Sequence, residues 1–154
     1  MAGQTAATRE LLAKGVDFET HRYRYEGGGA PGAAEALGVP VAAVAKTIVL
    51  EADGRVVIVI APGDREVSTR AVGRLVGAKR VVPASEQVAE KATGYRVGGI
   101  SPFGTRRGMP VFCDQRLTEK TEVLVNGGRR GLLVSLDPAV FEAVLGATVA
   151  DVTH

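Results

Sequence analysis

Along 46–63, KTIVLEADGRVVIVIAPG, two runs of β-branched and aliphatic residues flank Asp53-Gly54. An Asp-Gly pair tolerates the positive φ angles of a tight reverse turn, so the segment predicts a β-hairpin. Positions 56–60 are apolar without interruption, which predicts a strand covered on both faces. Over 16–26, VDFETHRYRYE, the side chains alternate: Phe18, Thr20, Arg22 and Arg24 oppose Asp17, Glu19, His21, Tyr23 and Tyr25. That period of two predicts a half-exposed strand. MPVFCD, TEVLVNGG and GLLVSL read as three further strands. Between them lie short helices with recognisable ends. Thr5 caps one that Gly15 stops, PGAAEALG ends at Gly38, and Pro40 opens one more turn over PVAAVA. Ser68 starts a helix running to Val76, Ser85 starts one reaching Thr93-Gly94, and Asp137-Pro138 opens a last one closed by Gly146. Strands outnumber long helices and connect partly through hairpins. The fold class is therefore α+β, with a mixed, largely antiparallel sheet in a single domain over 1–154.

Composition narrows the class without naming an activity. Hydrophobic residues make up 45% and charged residues 23% of the chain, values ordinary for a globular domain. No apolar run approaches the roughly 20 residues of a membrane span. The opening MAGQTAATRELLAKG has no apolar leader, so a cytoplasmic protein is expected. Cys113, the single cysteine, excludes an internal disulfide and fits a reducing compartment. A net charge of +2 is mildly basic and compatible with a phosphate-bearing partner. The basic residues fall partly in pairs, Lys79-Arg80, Arg106-Arg107 and Arg129-Arg130.

Several motifs fail on inspection. GGGAPG, over 27–32, satisfies G-x-G-x-x-G with Glu51 beyond it, the outline of a dinucleotide site. The preceding THRYRYE is too polar for the buried first strand of a parallel sheet, and Pro40 cuts the following helix short; a flexible loop fits better. There is no P-loop. His21, Cys113 and His154 are scattered, so no metal site is expected. Cys113 lies on an apolar strand and reads as a small core residue, and His21 as a strand-surface one. Ser101 is outside any G-x-S-x-G, and no serine triad is supported.

GYRVGGISPFGTRR, over 94–107, carries almost no packing side chains. Gly98-Gly99 followed by Ile100, Ser101 and Pro102 could present successive amides as an anion or oxyanion nest. The plainer alternative is a tight helix-to-strand connection. Lys46 stands where a short helix enters the strand KTIVL, a place from which an ammonium can enter a cleft or satisfy helix C-terminal carbonyls. NGGRRG, over 126–131, is a second glycine turn joining two strands. Together these outline a shallow pocket with few acid–base side chains.

AKTIVL, GAKRV, ATGYRVGGISPFGTRR, MPVFCD and VNGGRRGLLVSL, in this order and spacing, resemble the YbaK/EbsC family. That family is related to the editing insertion domain of bacterial prolyl-tRNA synthetases, and the resemblance runs from about Phe18 to the last helix. It implies a barrel-like mixed sheet and a free-standing aminoacyl-tRNA deacylase acting in trans, usually on tRNA-Pro. It implies that Lys46 is needed for activity and that the turn holding Gly98, Gly99, Ile100, Ser101 and Pro102 lies against the aminoacyl ester. Tyr23 and the Asn126, Gly127, Gly128 turn complete the pocket, with Thr47, Phe103, Gly104 and Leu133 as further substrate-binding candidates. Gly99, Ile100 and Ser101 are the expected oxyanion donors beside Lys46. Arg106, Arg107, Arg129 and Arg130 are the expected contacts to tRNA phosphates. No metal or organic cofactor is implied. The partners are mischarged tRNA and, as a candidate, prolyl-tRNA synthetase, with neither DNA nor a membrane.

Members that clear cysteine from tRNA-Pro carry an aromatic residue in the loop after the first tyrosine, serine before the GGxRG turn and aspartate after its leucine. Here the loop is EGGGAPG, and the other two positions are Asn126 and Leu133. An apolar Leu133 favours a more apolar wall, leaving cysteine, alanine, serine and threonine open. Two other readings stand beside the enzyme: a non-catalytic module binding aminoacyl-adenosine or docking on a synthetase, and an oxidoreductase resting only on GGGAPG.

Overall fold

The computed structural model describes residues 4–154. The first three residues, with which the expected 1–154 domain opens, lie outside the described residues. The chain runs α1 (Ala6–Ala13), β1 (Glu19–Arg22), α2 (Gly29–Leu37), a 3₁₀ turn (Val41–Ala43), β2 (Ala45–Ala52) and β3 (Arg55–Pro62). Then come α3 (Thr69–Val76), β4 (Val81–Pro83), α4 (Glu86–Thr93), β5 (Val111–Asp114) and a second 3₁₀ turn (Gln115–Glu119). β6 (Val123–Arg129), β7 (Leu132–Leu136), α5 (Ala139–Leu145) and β8 (Thr148–Ala150) complete it.

The helix ends follow their capping residues. The Ser68 and Ser85 hydroxyls accept from the amides of Ala71 and Val88 at 3.1 and 3.2 Å, meeting donors that the first turn leaves unpaired. β2 and β3 pair antiparallel in full register around Asp53-Gly54, where φ is +49° and +84°. β3 is the central strand predicted from its unbroken apolar run. Val56, Ile58 and Ile60 belong to the larger core cluster, while Val57 and Val59 belong to a second cluster under α3.

The mixed, largely antiparallel α/β arrangement is observed, but the barrel-like closure is corrected. Two sheets form, one ordered β1-β7-β6 and the other β4-β2-β3-β5-β8. β3–β5 and β5–β8 are parallel and the remaining pairs antiparallel. The outer strands β4 and β8 hold three residues each, too few to reach round and close a ring. A parallel bridge between Val44 and Leu124 links the sheets. The larger core cluster fills the space between them, sealed by Leu11 of α1, Ala89 and Ala92 of α4 and Phe141 of α5. GGGAPG does not open a βαβ unit: β1 is an antiparallel edge strand, and α2 already begins at Gly29. The dinucleotide outline therefore has no sheet to stand on.

Candidate active site

The seam between the two sheets holds a cavity of about 270 Å³, at the point where the Val41–Ala43 turn feeds into β2. Lys46 is the second residue of β2, paired with Ala61, and it lines this cavity with Thr47 and Ile48. Its side chain is 21% exposed and its Nζ lies 3.9 Å from Glu66 Oε1, whose own side chain is 80% exposed. A long contact to a solvated carboxylate is worth little, so the ammonium remains available to an anion. Thr47 Oγ1 is buried without a hydrogen-bond partner among the described residues.

The glycine stretch lines the same cavity as Lys46 through Val97, Gly98 and Ile100. It is a locked turn. The Val97 amide donates to Glu90 Oε2 at 2.8 Å, and the Gly99 amide donates to Arg96 O at 2.8 Å. Gly98 has φ +93° and sits so close to the Tyr25 hydroxyl that a Cβ would overlap it. The expectation that Gly99 presents a free amide is corrected here. The Gly99 donor closes its own turn, whereas the amides of Gly98 and Ile100 have no protein acceptor among the described residues. Ser101 is fully buried behind the turn, its hydroxyl accepting from the Phe103 amide at 3.2 Å.

Pro102, Phe103 and Gly104 also stand behind the cavity and do not line it. Pro102 is buried. Phe103 stacks on Phe141 with ring centroids 5.9 Å apart, and its carbonyl accepts from Tyr95 Oη at 2.5 Å. Gly104 donates its amide to Glu10 Oε2 at 2.8 Å. An aromatic ring of that size is stabilised by dry packing, so Phe103 anchors the turn from the core side.

The second glycine turn is fixed by one side chain. Asn126 Oδ1 accepts from the amides of Gly128 and Arg129 at 2.7 and 3.1 Å, and its Nδ2 donates to Gly98 O at 3.2 Å. The β6–β7 register shifts between Asn126 and Arg129, which marks a bulge. Gly127 and Gly128 do not line the cavity. Gly127 packs on Leu132, and its carbonyl accepts from Thr5 Oγ1 at 2.5 Å; Gly128, at φ +98°, lies against Tyr95 and Thr5. Arg130 donates from Nε to Val97 O at 2.9 Å and stacks over the Tyr25 ring at 5.3 Å. Arg106, Arg107 and Arg129 are exposed.

Lys46, Thr47, Tyr23, Gly98, Ile100, Asn126 and Leu133 thus meet in one cavity. Burial, with the Tyr25 phenol adding to it, raises the Tyr23 pKa above its ordinary value, so Tyr23 stays neutral and able to donate at physiological pH. Sequence reading missed Tyr25, Ala30, Ala33 and Val97 in the lining. Tyr25 was legible, because residues two apart on an extended chain share a face with Tyr23. The alanines of α2 carry no such signal. Cys113 is fully buried, and burial followed by the charges of Asp114 and Glu142 pushes its thiol up to about 12, so it is no nucleophile. His21 Nε2 lies 2.8 Å from Ser135 Oγ across the β1–β7 pair. Among the described residues, no three His, Cys, Asp or Glu side chains gather as a metal would need, and no helix is long and apolar enough to cross a membrane.

The chain resembles known proteins in sequence and in fold. An Enterococcus faecalis protein named "Putative Cys-tRNA(Pro)/Cys-tRNA(Cys) deacylase EbsC" is 30% identical over 122 residues, covering 78% of this chain and 74% of that one. A proline–tRNA ligase of Acidithiobacillus ferrooxidans is 35% identical over 83 residues, 54% of this chain but 15% of the ligase. Among solved structures, "hypothetical protein APE2540" superposes with TM-score 0.90 at 26% identity, covering 97% of this chain and 100% of that one. Another, described as "a putative trans-editing enzyme for prolyl tRNA synthetase", does so with TM-score 0.87 at 25% identity and 98% of each chain. Residues 29–143 match the family described as the aminoacyl-tRNA editing domain, the family to which this chain belongs.

Proposed function

We propose that the protein hydrolyses, in trans, the ester joining a small amino acid to the 3′-terminal ribose of a mischarged tRNA of the tRNA-Pro type. The observation that carries this reading is the shared cavity, lined by Lys46 and by Gly98 and Ile100, whose amides have no protein acceptor among the described residues. The names of the Enterococcus faecalis relative and of the trans-editing neighbour support the substrate class.

An aminoacyl ester is already labile, so positioning and charge stabilisation suffice. The Lys46 ammonium attracts the terminal ribose-phosphate or the ester. The Gly98 and Ile100 amides donate to the ester carbonyl, and their bonds strengthen as water adds and that oxygen becomes anionic. The intermediate collapses by breaking the bond from the carbonyl carbon to the ribose oxygen, which takes up the proton that the water lost. Among the described residues, no carboxylate or imidazole lines the cavity. The substrate's neighbouring 2′-hydroxyl therefore orients the water; for a cysteinyl ester its own thiol can attack instead. Ala33 and Leu133 give the wall an apolar character, and Thr47 Oγ1 offers it a hydroxyl. Such a pocket separates substrates differing by one methyl group by only about 1–3 kcal/mol, which fits a range of cysteine, alanine, serine and threonine. Exposed Arg106, Arg107 and Arg129 can meet phosphates near the acceptor end, with Arg130 already engaged by Val97 and Tyr25.

The test is a panel of mischarged tRNAs incubated with the native protein and with Lys46→Ala. The expected result is turnover by the native protein and a loss of about 100-fold or more in the variant. Undiminished turnover would remove Lys46 from the mechanism. The missing general base favours a second reading, a module that captures aminoacyl-adenosine without hydrolysing it; saturable binding with no turnover of any substrate would establish that one.

A further inference from the structure

We propose that a basic groove along α3, separate from the hydrolytic cavity, holds the phosphate backbone of the tRNA behind its 3′ end; the identity of that RNA rests on the deacylase reading. Residues 69–80 carry Arg70, Arg74, Lys79 and Arg80 and no acid, twice the net charge of +2 borne by the whole chain. All four are exposed, and none lies in an ion pair among the described residues. They line a groove of about 500 Å³ between α3 and the turn leading into β4, with Gly73 and Gly77 in its wall. Gly73 permits the close approach, because a Cβ there would lie 3.1 Å from Ala78 O.

The acid beside this turn is turned to another task. Asp53 accepts the amides of Lys79 and Arg80 at 3.0 and 2.9 Å, so it fixes the backbone of the basic turn while the two side chains stay in solvent. Ordinary helix electrostatics account for Arg74, which is in the last turn near the negative end of the dipole. They do not account for Arg70, which stands in the first turn near the positive end, nor for like charges at i and i+4 on one face, which repel. An external polyanion offsets both penalties. Leu75 is the large apolar side chain exposed on α3, which gives a lipid surface little to bury.

The position suits the same RNA. Lys46 is the second residue of β2 and Ala52 closes the strand opposite Val81, so the groove lies about 20 Å along the strand from the cavity at roughly 3.3 Å per residue. α3 starts just beyond Glu66, whose carboxylate lies 3.9 Å from Lys46 Nζ, and leads into the basic turn. That span corresponds to about six stacked nucleotides at roughly 3.4 Å each.

The test replaces Arg70, Arg74, Lys79 and Arg80 together by Gln and measures uncharged tRNA binding by fluorescence anisotropy between about 50 and 200 mM salt. Expected are a Kd raised by about tenfold or more and a log–log salt slope flatter by about 3, with hydrolysis of a short aminoacyl-adenosine ester unchanged. A companion carrying Arg70→Lys, Arg74→Lys and Arg80→Lys keeps the charge and is expected to keep the native slope. An unaltered Kd and slope in the Gln variant overturns the proposal, as does equal loss in the Lys variant, which would trace the effect to the fold. Loss of binding to phosphatidylserine vesicles with tRNA affinity intact would name a membrane as the occupant and overturn it too. Because uncharged tRNA is the probe, a protein with no deacylase activity that still shows the expected binding loss sinks the hydrolytic reading and leaves the groove standing.

Discussion

Gly99 has no room for a side chain. A Cβ built on it would lie 2.8 Å from Arg130 N and 3.0 Å from Arg129 Cα, backbone atoms that cannot rotate aside. Gly99→Ala must therefore push the two glycine turns apart, at a cost of about 1–3 kcal/mol, read as a lowered urea midpoint. An unchanged midpoint would show that the turns are not packed against each other. The same contact explains which amides the site can use. Sequence reasoning put the donors at Gly99, Ile100 and Ser101, because bare glycines suggest accessible main chain. Which of them is spent on the turn depends on the Arg96 carbonyl and on the depth of Phe103, and neither is written in the local pattern.

At the scale of elements, the hairpin β2–β3 was legible because turn chemistry and an unbroken apolar run agree on one answer. The capped helices were legible for the same reason. β4 and β8, three residues each, are too short to display a period, and they exist through their neighbours. β8 is tied down by a residue read only as part of a strand. Asp114 is fully buried and accepts from Arg116 N, Val152 N and Thr153 Oγ1 at 3.0, 3.1 and 2.8 Å. Arg116 also reaches Asp151 Oδ1 at 2.8 Å. Removing the carboxylate takes an acceptor at once from these three donors and from Arg116 Nη1, which lies 3.3 Å away. Asp114→Ala is expected to lose about 3 kcal/mol in denaturant titration, with 148–153 the first stretch to exchange its amide hydrogens. Protection equal to that of the native protein would mean that the network is decorative. β1 is shorter than its alternation suggests. After Tyr23 donates its amide to Gly131 O, the chain leaves the sheet and delivers Tyr25 to Gly98 and Arg130.

Over the whole molecule, one buried acid and one buried phenol set the response to alkali. Cys113 and Tyr95 are each pushed up to about 12, chiefly by burial, so the fold favours their neutral forms. An unfolded chain ionises them sooner, near 8.5 for a thiol and 10 for a phenol. The stabilising contribution is complete below about pH 8.5 and fades as pH climbs toward 12, the unfolded state holding fewer protons throughout that window. The urea midpoint should fall across this range, and less steeply in Cys113→Ala; parallel curves would assign the fall to other groups. The cavity lies where two open sheets meet, which makes the interlocked turns a joint as well as a lining. For anyone redesigning the amino acid this scaffold accepts, that joint dictates the unit of change. Varying either loop by itself trades selectivity against foldedness, whereas libraries that randomise both together can reach new shapes while the halves stay fastened.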